Sequence, residues 1–169
     1  MTALRKRKTL ADFCKKGLEV KMKKIFSIML LAVFLSVSAV CSAQISPDEV
    51  ALGGIKLGSK REYVESVYGQ PTSYINRNGG VLYDYNGTFQ IFFASGKYMS
   101  WMKTTANNGI GTPSGVKVGM SSSVLERYGE IYYKETEDGI TYYYYWAPGR
   151  ITLDFGVVNG KIVSIRARG

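Results

Sequence analysis

The 169-residue chain contains no histidine, and its two cysteines, Cys14 and Cys41, both precede residue 44. Residues 44–169 therefore lack an imidazole base, a thiol nucleophile and any disulfide framework. Zinc, haem and iron–sulfur centres built on Cys or His ligands are excluded there by composition, and no cofactor or metal is expected. The formal charge of +9 points first to nucleic acid, but it is unevenly spread. Nine of the 22 basic and only two of the 13 acidic residues lie before residue 44, which leaves 13 basic against 11 acidic beyond it, a net of +2. So small an excess leaves no electrostatic footprint for phosphate, and no nucleic-acid partner is expected.

Residues 22–43 have the order of a secretory signal peptide. Met22-Lys23-Lys24 is a short basic start, residues 25–35 are almost unbroken apolar, and Cys41-Ser42-Ala43 places small residues before a cut at Ala43-Gln44. Cleavage there leaves an extracytoplasmic chain, periplasmic or secreted, with no stable membrane insertion. Two alternatives stay open. Residues 25–43 span 19 positions, near the lower length for a bilayer span, although Ser27, Ser36, Ser38 and Ser42 interrupt them. A lipoprotein acylated at Cys41 is the other, but the branched Val40 and Ser38 fit its cleavage pattern poorly. Residues 1–21 read as an untranslated upstream extension with Met22 as the start, because Glu19-Val20-Lys21 can be encoded by a ribosome-binding sequence. A basic cytoplasmic extension is the competing reading.

The rest of the chain repeats itself, a signature of tandem units. Gly54-Ile55-Lys56-Leu57-Gly58 matches Gly115-Val116-Lys117-Val118-Gly119, and Val64, Tyr68 and Gly69 match Val124, Tyr128 and Gly129. Gly80-Val81, Tyr83 and Tyr85 match Gly139-Ile140, Tyr142 and Tyr144; Phe89, Ile91 and Phe93 match Ile151, Leu153 and Phe155. Gly96-Lys97 and Ser100 close the series against Gly160-Lys161 and Ser164. The units are placed at 44–106 and 107–169, joined by a linker over 104–114.

Each unit reads as α+β in the order β-α-β-β-β: a strand, a short helix and a three-stranded antiparallel meander, with helices on one face of the sheet. Ser59 is expected to cap a helix over 60–68 with Tyr63, Val64, Val67 and Tyr68 on one stripe. Gly69 ends it and Pro71 prevents its resumption. Ser121 or Ser122 caps a shorter helix through Tyr128, stopped by Gly129. Asn86-Gly87, Asp138-Gly139, Pro148-Gly149 and Asn159-Gly160 mark hairpin turns. Asn86-Gly87-Thr88 also fits a glycosylation sequon, which the hairpin explains better.

Alternation along the strands divides each into two faces. Val81, Tyr83, Tyr85, Phe89, Ile91, Phe93, Met99 and Trp101 are assigned to the helix side. So are Ile140, Tyr142, Tyr144, Ile151, Leu153, Phe155, Val163 and Ile165. The opposite face then carries Leu82, Asp84, Gln90, Phe92, Tyr98, Ser100 and Met102 from the first unit. From the second it carries Thr141, Tyr143, Tyr145, Thr152, Asp154, Ile162, Ser164 and Arg166. That mixture of aromatics, Met and Arg is the composition of a protein-binding surface, and Phe92, Tyr98, Tyr143, Tyr145 and Arg166 are its expected anchors. Ordinary strand chemistry also favours tyrosine. A glycan-binding alternative uses Tyr143, Tyr145 and Trp146 as stacking platforms.

Catalysis has little to draw on, and the chain is not expected to be an enzyme. Asp84 and Asp154 sit on expected strands, so a small hydrolase using either is a third reading, although alternation turns both to solvent. Glu126 stands alone. Glu135, Glu137 and Asp138 form a solvated turn without calcium-loop spacing, and Gly109-Ile110-Gly111 lacks the Lys-Ser/Thr of a phosphate loop.

A Gly-x-Ser-x-x-x-Val-x-x-x-Tyr-Gly-x-Pro pattern, followed by a Tyr-rich strand and a Phe-x-Phe-like strand, resembles the BamE (SmpA/OmlA) domain and the tandem fold of beta-lactamase inhibitor protein. The first unit carries it as Gly58, Val64, Tyr68, Gly69 and Pro71. The second has Gly119, Ser121, Val124, Tyr128 and Gly129, with Ile131 in place of the proline. The resemblance implies an extracytoplasmic protein that works by protein–protein contact, in outer-membrane assembly or enzyme inhibition.

Overall fold

The computed structural model describes residues 44–169. The leader, Cys41 and the extension at 1–21 lie outside the described residues, as do the alternatives raised for them. Among the described residues no helix is long and apolar enough to cross a membrane.

The fold is α+β. A 3-10 turn (Pro47–Glu49) precedes β1 (Ala51–Leu52) and β2 (Ile55–Lys56), then helix α1 (Arg61–Tyr68). Four strands follow: β3 (Ser73–Arg77), β4 (Gly80–Tyr85), β5 (Phe89–Ala94) and β6 (Tyr98–Thr104). A 3-10 segment, Ser122–Tyr128, opens the second half, followed by β7 (Tyr133–Glu137), β8 (Ile140–Ala147), β9 (Ile151–Val158) and β10 (Lys161–Arg168). The eight long strands form one antiparallel sheet in the order β3-β4-β5-β6-β10-β9-β8-β7. Its halves meet at β6–β10 and run outward in mirrored order.

This differs from the expected β-α-β-β-β layout in two ways. Four strands, not three, follow each helical segment. The additions, β3 and β7, are the sheet edges; every residue of β3 is exposed, so they lack the apolar alternation that marks a strand. The strand expected before each helix adds no strand to the sheet, with which the entering chain pairs only through the bridges Lys60 to Tyr98 and Ser121 to Lys161. β1 and β2 pair only with each other, and Val116-Lys117-Val118 makes a single bridge, Gly111 to Lys117.

The helical segments are short and depend on the sheet for stability. Lys60, not Ser59, is the N-cap of α1 and offers no side-chain hydrogen bond; Ser59 Oγ instead accepts from Lys56 N at 3.3 Å. Gly69 ends α1 at φ +75°, with its N–H donating to Glu65 O. Val64 is buried, whereas Tyr63 and Val67 are about half exposed, so the apolar stripe is narrower than the spacing suggests. In the second half Ser121 caps, accepting from Ser123 N.

Both segments finish on a tyrosine laid against the sheet. Tyr68 lies 5.2 Å from Phe89, and its hydroxyl donates to Gly53 O at 2.7 Å. Tyr128 lies 5.2 Å from Phe155, and its hydroxyl bonds Thr112 Oγ1 at 2.7 Å. These rings, with Leu52, Ile55, Val116 and Leu125, close a core over Tyr83, Phe89, Ile91, Phe93, Tyr145, Leu153 and Phe155.

Each half carries a β-bulge in its last hairpin. Register shifts on β5–β6 between Phe92 and Phe93 and on β9–β10 between Ile162 and Ser164 leave Ser100 and Val163 as the extra residues. A bulge reverses the in–out phase of everything beyond it. Met102 and Ile162, expected outside, are thus fully buried in the core, and Trp101, expected inside, is turned to the other face.

Candidate partner-binding face

The helical segments and the β1–β2 ribbon share their core with one side of the sheet. On the other side, cross-strand partners align in rows. Ser73, Asp84, Gln90, Lys103, Arg166, Asp154, Tyr144 and Tyr133 are successive partners, one from each strand. Beside this polar row runs Ile75, Leu82, Phe92 and Trp101, so the first half of the face is apolar and the second is tyrosine and charge.

In the apolar half, Phe92 and Trp101 stack with centroids 5.9 Å apart and planes inclined by 15°. Leu82 is buried beside them, and Ile75 and Tyr98 are each 52% exposed. Cross-strand aromatic pairs of this kind add roughly 0.2–1 kcal/mol to a sheet, so sheet stability alone gives little reason for so much apolar surface.

In the polar half, Asp154 is only 2% exposed. Arg166 Nε donates to its Oδ2 at 2.8 Å, and Arg168 Nε stands 3.2 Å from the same oxygen. Burial pushes the Asp154 carboxyl above the usual carboxylate range, and the two guanidinium groups oppose that shift. The Arg168 guanidinium also covers the Tyr144 ring at 5.4 Å. The Tyr144 hydroxyl donates to Glu135 and is pushed up to about 12, by burial first and then by that carboxylate. Asp154, Arg166, Lys103, Tyr142, Tyr144, Ser164 and Glu137 line a cavity of about 100 Å³. A larger cleft of about 340 Å³ lies beside Gln44, where Ser114 donates to Glu49 and Arg127 donates to Ser114 O.

The expected anchors divide. Phe92, Tyr98 and Arg166 lie on the helix-free side, although Arg166 is engaged by Asp154. Tyr143 and Tyr145 do not. Tyr145 is 2% exposed, 5.3 Å from Tyr128 and 5.9 Å from Phe155, with its hydroxyl donating to Leu125 O. Tyr143 packs against the same core with Lys134 over its ring.

The physical reason is register. Tyr83 opposes Ile91 and Tyr145 opposes Leu153, so Tyr83 corresponds to Tyr145 rather than to Tyr142. The glycine-anchored match was therefore displaced by three residues, and an odd displacement exchanges the faces of a strand. Ile140, Tyr142 and Tyr144 accordingly take the helix-free side, and Thr141 moves to the helix side. The stacking platform of Tyr143, Tyr145 and Trp146 is likewise split, because Trp146 opposes Thr152 and faces away from the two tyrosines.

Asp84 and Asp154 share a row but sit four strand spacings apart, roughly 19 Å, so they form no carboxylate pair. Asp84 accepts from Gln90 Nε2 at 2.8 Å and from Gly87 N. Glu126 is exposed, and Asp138 occupies a turn at φ +50°. Among the described residues no three His, Cys, Asp or Glu side chains could hold a metal ion. Sequence reading missed Trp101, Lys103 and Gly156; only the Phe92–Trp101 register, set by the bulge, reveals the first.

No family model matches the chain, and no curated protein matches it. It is similar to the crystal structure of a DUF4309 family protein (YjgB) from Bacillus subtilis subsp. subtilis str. 168. That protein is 17% identical, the match covers 69% of this chain and 83% of that one, and the TM-score is 0.49. An extracellular protein containing a SCP domain, from Bacillus anthracis str. Ames, is 11% identical over 66% of this chain and 43% of that one, with a TM-score of 0.46.

Proposed function

We propose that this is an exported, non-enzymatic binding protein that grips a protein partner with the helix-free side of its sheet. Residues 22–43 act as the export signal, and the chain works outside the cytoplasm. The carrying observation is the stacked Phe92–Trp101 pair, flanked by half-exposed Ile75 and Tyr98 on a face that no helix covers. Large amphipathic rings on an open surface dominate binding energy at protein interfaces, and a contiguous apolar patch on an otherwise charged surface marks such a site. The resemblance to BamE and to beta-lactamase inhibitor protein points to the same mode of action. The absence of histidine and the separation of Asp84 from Asp154 support a role without catalysis.

The test is co-purification from the envelope and culture medium of the producing cells, comparing the wild type with Phe92→Ser/Tyr98→Ser/Trp101→Ser. A partner retained by the wild type and lost from the triple variant, with the variant's circular dichroism unchanged, supports the reading. Equal retention moves the site off this face.

A further inference from the structure

We propose that the cavity at Asp154 is a saccharide-binding subsite, separate from the apolar patch and independent of the protein-contact reading. Asp154 Oδ1 is buried and has no hydrogen-bond partner among the described residues; both guanidinium contacts fall on Oδ2. A buried acceptor left without a donor is costly, and each such case in a folded protein asks for an explanation. Gly156, between Tyr142 and Ser164 in the sheet, lets these two lining side chains close over its strand: a Cβ there would stand 2.4 Å from Ser164 Oγ and 3.2 Å from Tyr142 Cε1.

The lining selects the ligand. Asp154 Oδ1 needs a donor. Lys103 has no ion-pair partner among the described residues, and its ammonium supplies donors across the same space. An anion would satisfy Lys103 and Arg166 but be repelled by Asp154 and Glu137; a cation would meet the reverse conflict. A neutral group that donates and accepts at adjacent atoms satisfies both, and paired hydroxyls do so. The Ser164 and Tyr142 hydroxyls can take either role, and the partly exposed ring of Tyr142 offers an apolar wall for the C–H face of a sugar ring. At about 100 Å³ the cavity has room for several water-sized groups, enough for one edge of a pyranose while the ring rests on Tyr142.

The experiment titrates chitotetraose, cellotetraose and maltotetraose, each to millimolar concentration, into the purified full chain and follows backbone amide NMR shifts. At least one oligosaccharide should give saturable shifts centred on Tyr142, Asp154 and Ser164. Lys103→Ala and Asp154→Asn should each weaken binding about tenfold or more, the loss expected for one hydrogen bond to a charged group, while Phe92→Ser should leave it unchanged. Lys103 is half-buried and outside the core, so Lys103→Ala reads the site even if Asp154→Asn were to lose its fold. No saturable shift with any of the three sugars, affinity unchanged in the variants, or shifts centred on Phe92 and Trp101 would overturn the proposal.

Discussion

Replacing Tyr145 by Ser separates the two possible faces of β8 by a measurable free energy. If Tyr145 were a surface anchor, its loss would change stability by about 0.5 kcal/mol or less, the usual size for surface substitutions. In the structure its ring is 2% exposed between Tyr128 and Phe155, and its hydroxyl donates to Leu125 O at 3.3 Å. Truncating a buried aromatic removes its transfer free energy and leaves a cavity, together about 3–5 kcal/mol. The hydrogen bond accounts for about 0.5–1.5 kcal/mol of comparable losses, which Tyr145→Phe isolates. Phe92→Ser on the opposite side removes a stacked cross-strand partner and should cost only about 1 kcal/mol. Urea unfolding at 25 °C, followed by tryptophan fluorescence, should show Tyr145→Ser with a midpoint far below that of Phe92→Ser. Equal midpoints, or Tyr145→Ser within about 1 kcal/mol of the wild type, would refute the assigned register.

Three further outcomes follow from the same geometry. Because burial raises the Asp154 carboxyl above its usual range despite Arg166 and Arg168, the folded state holds its proton to a higher pH than the unfolded chain does, and Asp154→Asn removes that titration. The wild type should gain on it as pH falls toward the acid range, where the raised group takes up its proton in the folded state before the unfolded one; a constant difference by urea titration contradicts this. Tyr83, Tyr85, Tyr144 and Tyr145 are each pushed up to about 12, chiefly by burial. Their contribution to stability is complete below pH 10 and is lost as pH rises toward 12. Tyrosinate absorbance for these four should thus appear together with unfolding rather than before it. Gly69→Ala should destabilise by about 1–3 kcal/mol through backbone strain alone, since Gly69 sits at φ +75° and ψ −166° with nothing within 4 Å of an added Cβ; thermal unfolding checks it.

Much of the architecture could be read from the residues. The antiparallel strands, the short helical segments, the tyrosines ending each of them and the Asn-Gly and Asp-Gly turns all correspond to features of the fold. What escaped has a common cause in the two-residue period of a strand. The glycines at turn positions matched at one spacing, while the strands they connect pair at another, because Gly80 is the first residue of β4 whereas Gly139 precedes β8, which is also two residues longer. Matching on the glycines therefore assigned Tyr143 and Tyr145 to the wrong side. The paired bulges at Ser100 and Val163 did the same to Trp101, Met102 and Ile162, and nothing in those side chains announces a bulge. β3 and β7 escaped because an edge strand exposed on both faces carries no apolar alternation. The Asp154 cavity needed cross-strand neighbours from five strands, which no local pattern contains.

The central claim, that the helix-free side meets a partner, is tested most directly by site-specific photocrosslinking in the cells that make the protein. A benzophenone side chain placed at Phe92 reports on the apolar half, one at Tyr142 on the polar half, and one at the half-exposed Tyr63 on the helix side. The account predicts a discrete higher-mass adduct from Phe92 and none from Tyr63. An adduct from Tyr63 with none from Phe92 would contradict it and place the contact on the helices.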